Sequence, residues 1–445
     1  MAEQIAVAVR AAEAAVPDLD GVEFVLLGIP DVNGSLRGKA LRPDAFASAV
    51  RHGAAMTDLL LALDPVDTPI ADYERFGIRS GAADLIVHPD LETLRPLAWR
   101  PGWSVCIGTP SWPDGRVCEL ASREVLRGCV QQLMQVGYEG LAAVEYEVRV
   151  SDAASGDFAS SGISYSVGEV TRLDDFAIRL RSALDALGIE LLAMHTEAAP
   201  GLVELNLAAR PSMQAADDAC YAKLAVKEVA AASGLRASFL AKTASGQEGS
   251  SGHLHVSFWH EGSNAFAGAD ARELTPVMRS AIAGVLEHLA GASLLLNPTV
   301  NSYKRLVPGW FAPTNRSWGI ENRSAAIRAI SPSRSELCRI ECRRPGADAN
   351  PYLALAAILA AATDGLRRRL EPPSPVEGDA YARSDLEELP NSLESALAAF
   401  AADSALRSSL GETFSDYYAT SRRWELKAWQ QAVTEWERDR YGRSV

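Results

Sequence analysis

LAAVEYEVRV, residues 141–150, is the stretch on which the fold turns. Strand side chains alternate between faces, so Glu145 and Glu147 share one face while Val144, Tyr146 and Val148 share the other. A strand with one apolar face and two carboxylates on the other needs those charges compensated. The pattern recurs downstream. LVELNL (202–207) holds Glu204 among aliphatic residues with Glu197 just upstream, HLHVSFW (253–259) puts His253 and His255 on one face, and CRIECRRP (338–345) aligns Arg339, Glu341 and Arg343. Glutamates gathered in one sheet repel each other unless cations lie between them. Carboxylate oxygens with one or two imidazoles suit magnesium or manganese rather than a thiolate-preferring metal. The interleaved arginines offer sites for phosphate or a substrate carboxylate. Any one of these strands also fits an exposed edge with its charges in water; four with the same pattern favour a shared site.

Outward from that strand, VEFVLLGI (22–29), LIVHP (85–89) and WSVCIGT (103–109) read as strands after one opening helix, with Asn33-Gly34 as a hairpin turn. GSLRGKA (34–40) is the return strand of that hairpin rather than a phosphate loop, being one residue short and ending on Ala40. The polar PSWPDGRV (110–117) marks a boundary near 113, giving a smaller domain over 1–112 and a larger one over 113–445. Beyond it a helix starts at Ser122, further helices are expected over 173–187, 212–233, 275–290 and 350–370, and strands over 141–150, 189–197, 202–207, 237–243 and 253–259. The C-terminal Leu426, Trp429, Val433 and Trp436 have the spacing of a docked amphipathic helix. His52, His88, His195, His260 and His288 show no partner pattern and read as ordinary. The fold class is α+β.

The 445 residues are 48% apolar and 22% charged, which describes a globular chain. With 43 basic and 57 acidic residues the net charge is −14, so nucleic acid and acidic membrane surfaces are excluded as expected partners. The six cysteines have no CxxC spacing and read as reduced thiols. The N-terminus lacks the basic-then-apolar order of a signal peptide, and the longest apolar run, Leu353 to Ala362, is far below the ~20 residues that span a bilayer. A cytoplasmic protein is expected.

Several segments together resemble the glutamine synthetase family: NPTVNSYKRLVPGW (297–310) followed by NRSAAIR (322–328), RIECRRP (339–345) with ANPYLALAA (349–357), SSGHLHVS (250–257), TEAAPGLVELN (196–206) and VEYEV (144–148). They run in the family's order from about residue 22 to residue 370. The resemblance implies a small β-grasp-like N-terminal domain and a catalytic domain with a curved antiparallel sheet. It also implies a homo-oligomer, usually a dodecamer, with active sites at subunit interfaces. By resemblance, Glu147, Glu197 and Glu204 would hold one divalent metal, and Glu145, His253 and Glu341 a second. Arg328 and Arg339 would contact the transferring phosphoryl group and ATP, and Arg323 the phosphate. Arg305 and Arg343 would clamp glutamate carboxylates beside Gly249, while His255 and Ser257 would line the nucleotide end. The implied cofactors are two or more Mg2+ or Mn2+ ions, with ATP as co-substrate. The implied reaction phosphorylates the γ-carboxylate of glutamate; an amine or ammonia then displaces the phosphate.

The sequence also departs from the family. Its flap carries a glutamate before Ala-Pro, where this chain reads Pro308-Gly-Trp-Phe-Ala-Pro313, with Phe311 in place of the carboxylate. The N-terminal Asp-Gly-Ser-Ser segment that helps bind ammonium has no counterpart here; the nearest stretch is MTDLLLALD (56–64). A phenyl ring accepts no proton but packs against an alkyl or aryl substituent. The departures therefore point to an organic monoamine as nucleophile, with ammonia as the second reading and a catalytically silent relative as the third. Leu202 and Glu248 stand where the family usually has Gln and Asn, and the segment around Asp379-Ala-Tyr381 differs too much to support adenylylation.

Overall fold

The computed structural model describes residues 17–270 and 273–443. The expected opening helix lies outside the described residues. The first sheet takes β1 (Phe24–Pro30), β2 (Leu36–Leu41), β3 (Ala54–Thr57), β4 (Asp84–Pro89) and β5 (Trp103–Ser111) in the order β2-β1-β5-β4-β3, with α1 (Pro43–His52) between β2 and β3. The β1–β5 pairing is parallel and the others antiparallel. The Asn-Gly turn forms as expected. Asp31 accepts the backbone N–H groups of Asn33 and Ser35 at 2.9 and 2.8 Å, and Gly34 takes φ 81°, a left-handed value that suits glycine.

The rest of the chain supplies α2 (Ser122–Gln135), β6 (Glu139–Asp152), α3 (Asp174–Ala186), β7 (Leu191–Thr196), β8 (Leu202–Leu207), α4 (Ser212–Ala232), β9 (Gly252–His260), α5 (Pro276–Leu296), β10 (Trp318–Ile320), β11 (Ile327–Ile330), β12 (Arg339–Cys342), α6 (Pro351–Arg368), α7 (Leu393–Ala402), α8 (Ser404–Leu410) and α9 (Glu412–Gln431). Its ten-stranded sheet runs β10-β11-β12-β9-β6-β8-β7, antiparallel throughout that path except for β10–β11. One continuous core runs from the first sheet, with Leu27, Phe46 and Ile107, to the large sheet and its helices, with Val144, Leu254, Leu289 and Leu355. α5 and α6 approach so closely that a Cβ on Gly284 would meet the Ala361 carbonyl at 2.2 Å. Asn350 caps α6 by accepting the Tyr352 N–H, and its Nδ2 donates to the Asp31 carbonyl, fastening the first hairpin to the large sheet's helices.

Two expectations fail here. The strand proposed over 237–243 pairs with β6 only over Leu235–Ser238. The chain then leaves the sheet because the Asn301 amide grips Lys242, accepting its N–H at 2.8 Å and donating to its carbonyl at 2.9 Å. The C-terminal helix does dock, but through Phe414, Tyr417, Tyr418 and Arg422, while Trp429, Val433 and Trp436 are exposed. The buried stripe, within 414–422, precedes the expected one; of the four expected residues Leu426 alone packs partly against the core, and Val433 and Trp436 lie beyond the end of α9 at Gln431. All six cysteines are buried and free, and no helix among the described residues is long and apolar enough to cross a membrane.

Candidate active site

Register builds the site. Across β7, β8 and β6, His195 faces Glu204 and Glu204 faces Glu147; across β11, β12 and β9, Arg328 faces Glu341 and Glu341 faces His255. Between these rows Glu145 pairs with His253 on one side and Asn206 on the other. The alternation read from 141–150 thus carries across neighbouring strands and turns scattered acids into one continuous polar face.

Two groups on this face have ligand atoms within 4.8 Å of one another: Glu145, His255 and Glu341, and His195, Glu197 and Glu204. Each offers carboxylate oxygens with one imidazole, a donor set that fits magnesium or manganese. His195 Nε2 lies 2.9 Å from Glu197 Oε1 and 3.5 Å from Glu204 Oε1. Among the described residues no arginine or lysine forms an ion pair with Glu147, Glu197 or Glu204, and the buried Arg305 acts on Glu147 only from a distance. Burial, helped by Glu145 and Glu147, pushes the Glu204 carboxyl up to about 9, and burial also raises Glu147.

The other end is charge-balanced. Burial would raise Glu145, but hydrogen bonds from His253 and His255 overcome it and hold the carboxyl far below the usual range. Its Oε1 lies 3.1 Å from His253 Nδ1 and its Oε2 3.3 Å from His255 Nε2. Glu341 is likewise drawn to about 2 against its burial by Arg343, His255 and His253. Burial and Arg343 lower His253 to about 4, keeping the ring neutral as a ligand must be, and its Nε2 is a buried nitrogen with no partner.

The remaining expected residues fall around this face. Glu147 accepts the Ser251 N–H at 2.7 Å and stands just outside the compact groups, while His255, expected at the nucleotide end, stands within one. Arg328 bridges Glu321 and Glu341, and Arg343 also pairs with Glu341. Arg339 donates to His255 Nδ1 at 3.2 Å. Arg339, His255, Ser257, Trp259, Leu192 and Leu207 line a largely apolar cavity of about 350 Å³. Arg323 is exposed beside Glu321 and Asn322, with no ion-pair partner among the described residues. Arg305 is 1% exposed and donates to Ser251 Oγ and to the carbonyls of Arg343 and Arg344. It backs Gly249, where a Cβ would meet Arg305 Cγ at 2.8 Å. Phe311 is 54% exposed at φ 51°, at the tip of the 308–313 flap.

Sequence reasoning missed His195 and its neighbour Tyr165. The same alternation rule would have found His195, two residues before Glu197 on one strand face. Tyr165 has no such signal: its ring stacks on His195 with centroids 4.1 Å apart only because the 160s loop folds back and the Tyr165 N–H donates to the Thr196 carbonyl at 2.8 Å.

Comparison with known proteins agrees with this geometry. Residues 119–441 match the glutamine synthetase catalytic domain. The chain is 33% identical to the gamma-glutamylethanolamide synthetase GlnA4 of Streptomyces coelicolor, over 94% of this chain and 92% of that one. It is 32% identical to a glutamate–isopropylamine ligase of a Pseudomonas species (94% and 95%) and 31% identical to the glutamine synthetase of Thermotoga maritima (95% and 97%). The structure of GmaS without ligand superposes with a TM-score of 0.85 at 29% identity, covering 98% of this chain and 99% of that one. Fold, donor set and relatives agree: the chain belongs to the glutamine synthetase family.

Proposed function

We propose that this ADP-forming carbon–nitrogen ligase joins an organic monoamine to the γ-carboxylate of glutamate by way of a γ-glutamyl phosphate. The family uses ATP and divalent metals, and both polar groups here have the donors to hold such ions: His195, Glu197 and Glu204 with Glu147 beside them, and Glu145, His255 and Glu341 with His253 beside them. Bound there, the cations supply charge neutralisation between the γ-phosphate and the attacking carboxylate. The protein's own part is to hold the anions apart until they react. Arg328 and Arg339 face the same end as Glu341 and suit the transferring phosphoryl group, with Arg323 free to take the released phosphate. The apolar cavity beside His255 and Ser257 suits the adenine ring.

Phe311 carries the choice of nucleophile. An exposed phenyl ring at the flap tip neither attracts ammonium by a formal charge nor takes its proton, but it gives a carbon substituent an apolar surface. Two of the relatives named above act on organic amines by their names, and the third is named a glutamine synthetase, so ammonia remains the second reading. The test is ADP release with ATP, Mg2+ and glutamate, using ammonia and a panel of alkyl, hydroxyalkyl, aryl and polyamines. Turnover with one class of monoamine and little with ammonia supports the proposal; turnover with ammonia alone overturns it.

A further inference from the structure

Lys242 lies outside every role assigned so far, yet it touches both walls of the proposed acyl-transfer site. Its backbone is locked by the paired hydrogen bonds to Asn301. Its side chain is buried and its ammonium stands 4.0 Å from the centroid of the Trp310 ring, next to Phe311 on the flap. The same ammonium donates to the Gln247 carbonyl, two residues before Gly249. Arg149 holds this loop from the other side, donating to the Glu248 carbonyl at 2.7 Å. The far end of the flap is fixed separately, by the buried Arg344 donating to the Pro313 carbonyl at 2.7 Å. Between these anchors Gly309 and Phe311 both take positive φ, so the flap tip is shaped by what holds Trp310.

We infer that Lys242 is a positioning residue that couples the glutamate loop to the flap, so that glutamate and the nitrogen substrate each tighten the other's binding through it. This rests on the reading that the Gly249 loop faces glutamate and the flap faces the nucleophile. When glutamate orders Gln247 to Gly249, the Gln247 carbonyl fixes the ammonium, and the ammonium fixes Trp310 and the flap tip. The cation–π contact is the element that transmits the effect. Linkage makes the coupling reciprocal.

The experiment is a matrix of steady-state rates over glutamate and amine concentration for the wild type and for Lys242→Met, Lys242→Arg, Trp310→Leu and the double variant Lys242→Met/Trp310→Leu. In the wild type the amine KM falls as glutamate rises. Lys242→Met abolishes that dependence and raises the amine KM about 3- to 30-fold at saturating glutamate, with the ATP KM unchanged. Trp310→Leu does the same, and the double variant adds little to either. Lys242→Arg retains the coupling, because a guanidinium also stacks on indole and donates to a carbonyl. Persistence of the glutamate dependence in Lys242→Met, or multiplication of the two single effects, overturns the inference. Should Lys242→Met fail to fold, Trp310→Leu alone decides, since it keeps the bond to Gln247 while removing the ring. The matrix is run with whichever nitrogen substrate the wild type uses. Exclusive use of ammonia would overturn the amine reading and leave the coupling open to the same measurement.

Discussion

His195 lies directly opposite Glu204 in the β7–β8 pairing and carries its Nε2 to 2.9 Å from Glu197 Oε1. An imidazole set between two acids, with no arginine or lysine paired to either among the described residues, has the geometry to serve as a third donor to a divalent cation. His195→Ala is expected to weaken Mn2+ binding by roughly 10- to 100-fold, the range typical of residues that orient or supply metal donors. Isothermal titration checks this, and an unchanged Mn2+ affinity would leave His195 as a stacking partner for Tyr165 only.

The Glu204 carboxyl tests charge crowding without any substrate. Its pKa is raised to about 9 from 4.5, by burial first and then by Glu145 and Glu147. The folded chain therefore holds a proton that the unfolded chain has released, so this group's contribution to stability falls as pH climbs through that interval. Metal-free protein is expected to melt at progressively lower temperature from about pH 5 to about pH 9, with Mn2+ restoring more at the alkaline end. Glu204→Gln should flatten the slope in thermal melts.

His288 has the same direction for a different reason. Burial would lower its pKa, but hydrogen bonds to Asp403 and Asp364 outweigh that and raise it, with Nδ1 2.9 Å from Asp403 Oδ2 and Nε2 3.0 Å from Asp364 Oδ2. This cation staples α5 to α6 and to the junction of α7 and α8. Its contribution is fully present below the unfolded pKa of about 6.5 and is lost as pH rises through the higher folded value. His288→Gln should cost ~1–3 kcal/mol at acid pH and less at alkaline pH. Urea melts of both proteins at two pH values measure the difference.

Arg344 fixes the flap's far end through the Pro313 carbonyl and also donates to the Pro390 carbonyl. Arg344→Met leaves the buried Pro313 carbonyl without a donor, at roughly 1–3 kcal/mol, and the half-buried Pro390 carbonyl at less. The variant is expected to be cut more readily within 308–313 by a protease that accepts aromatic residues, with little change at other sites. Equal cleavage in both proteins would contradict the anchoring role.

Much of this was legible in the sequence because strand geometry is simple. The spacing of Glu145, Glu147, His253, His255, Glu204 and Glu341 set them on common faces, and pairing register did the rest. The hairpin at Asn33-Gly34 was equally plain. His195 is readable by the same rule, since it stands two residues before Glu197 on one strand face. Tyr165, Lys242 and the actual docking stripe of α9 were not readable. The first two reach the site from loops whose path depends on a few long-range hydrogen bonds, one from the Tyr165 N–H to the Thr196 carbonyl and a pair between Lys242 and Asn301, and in α9 several helical spacings of aromatics compete until tertiary packing selects one. The strand forecast over 237–243 failed similarly, because apolar content could not reveal that Asn301 draws Lys242 out of the sheet.

Competition between nucleophiles tests the central claim most directly. Wild-type protein given ATP, Mg2+, glutamate and equal concentrations of ammonia and the best monoamine of the panel should yield the γ-glutamylamide of the amine over glutamine by roughly tenfold or more, read by mass spectrometry. Phe311→Glu should move the product ratio toward glutamine. Glutamine as the main wild-type product, with a ratio that Phe311→Glu does not move, would contradict the account.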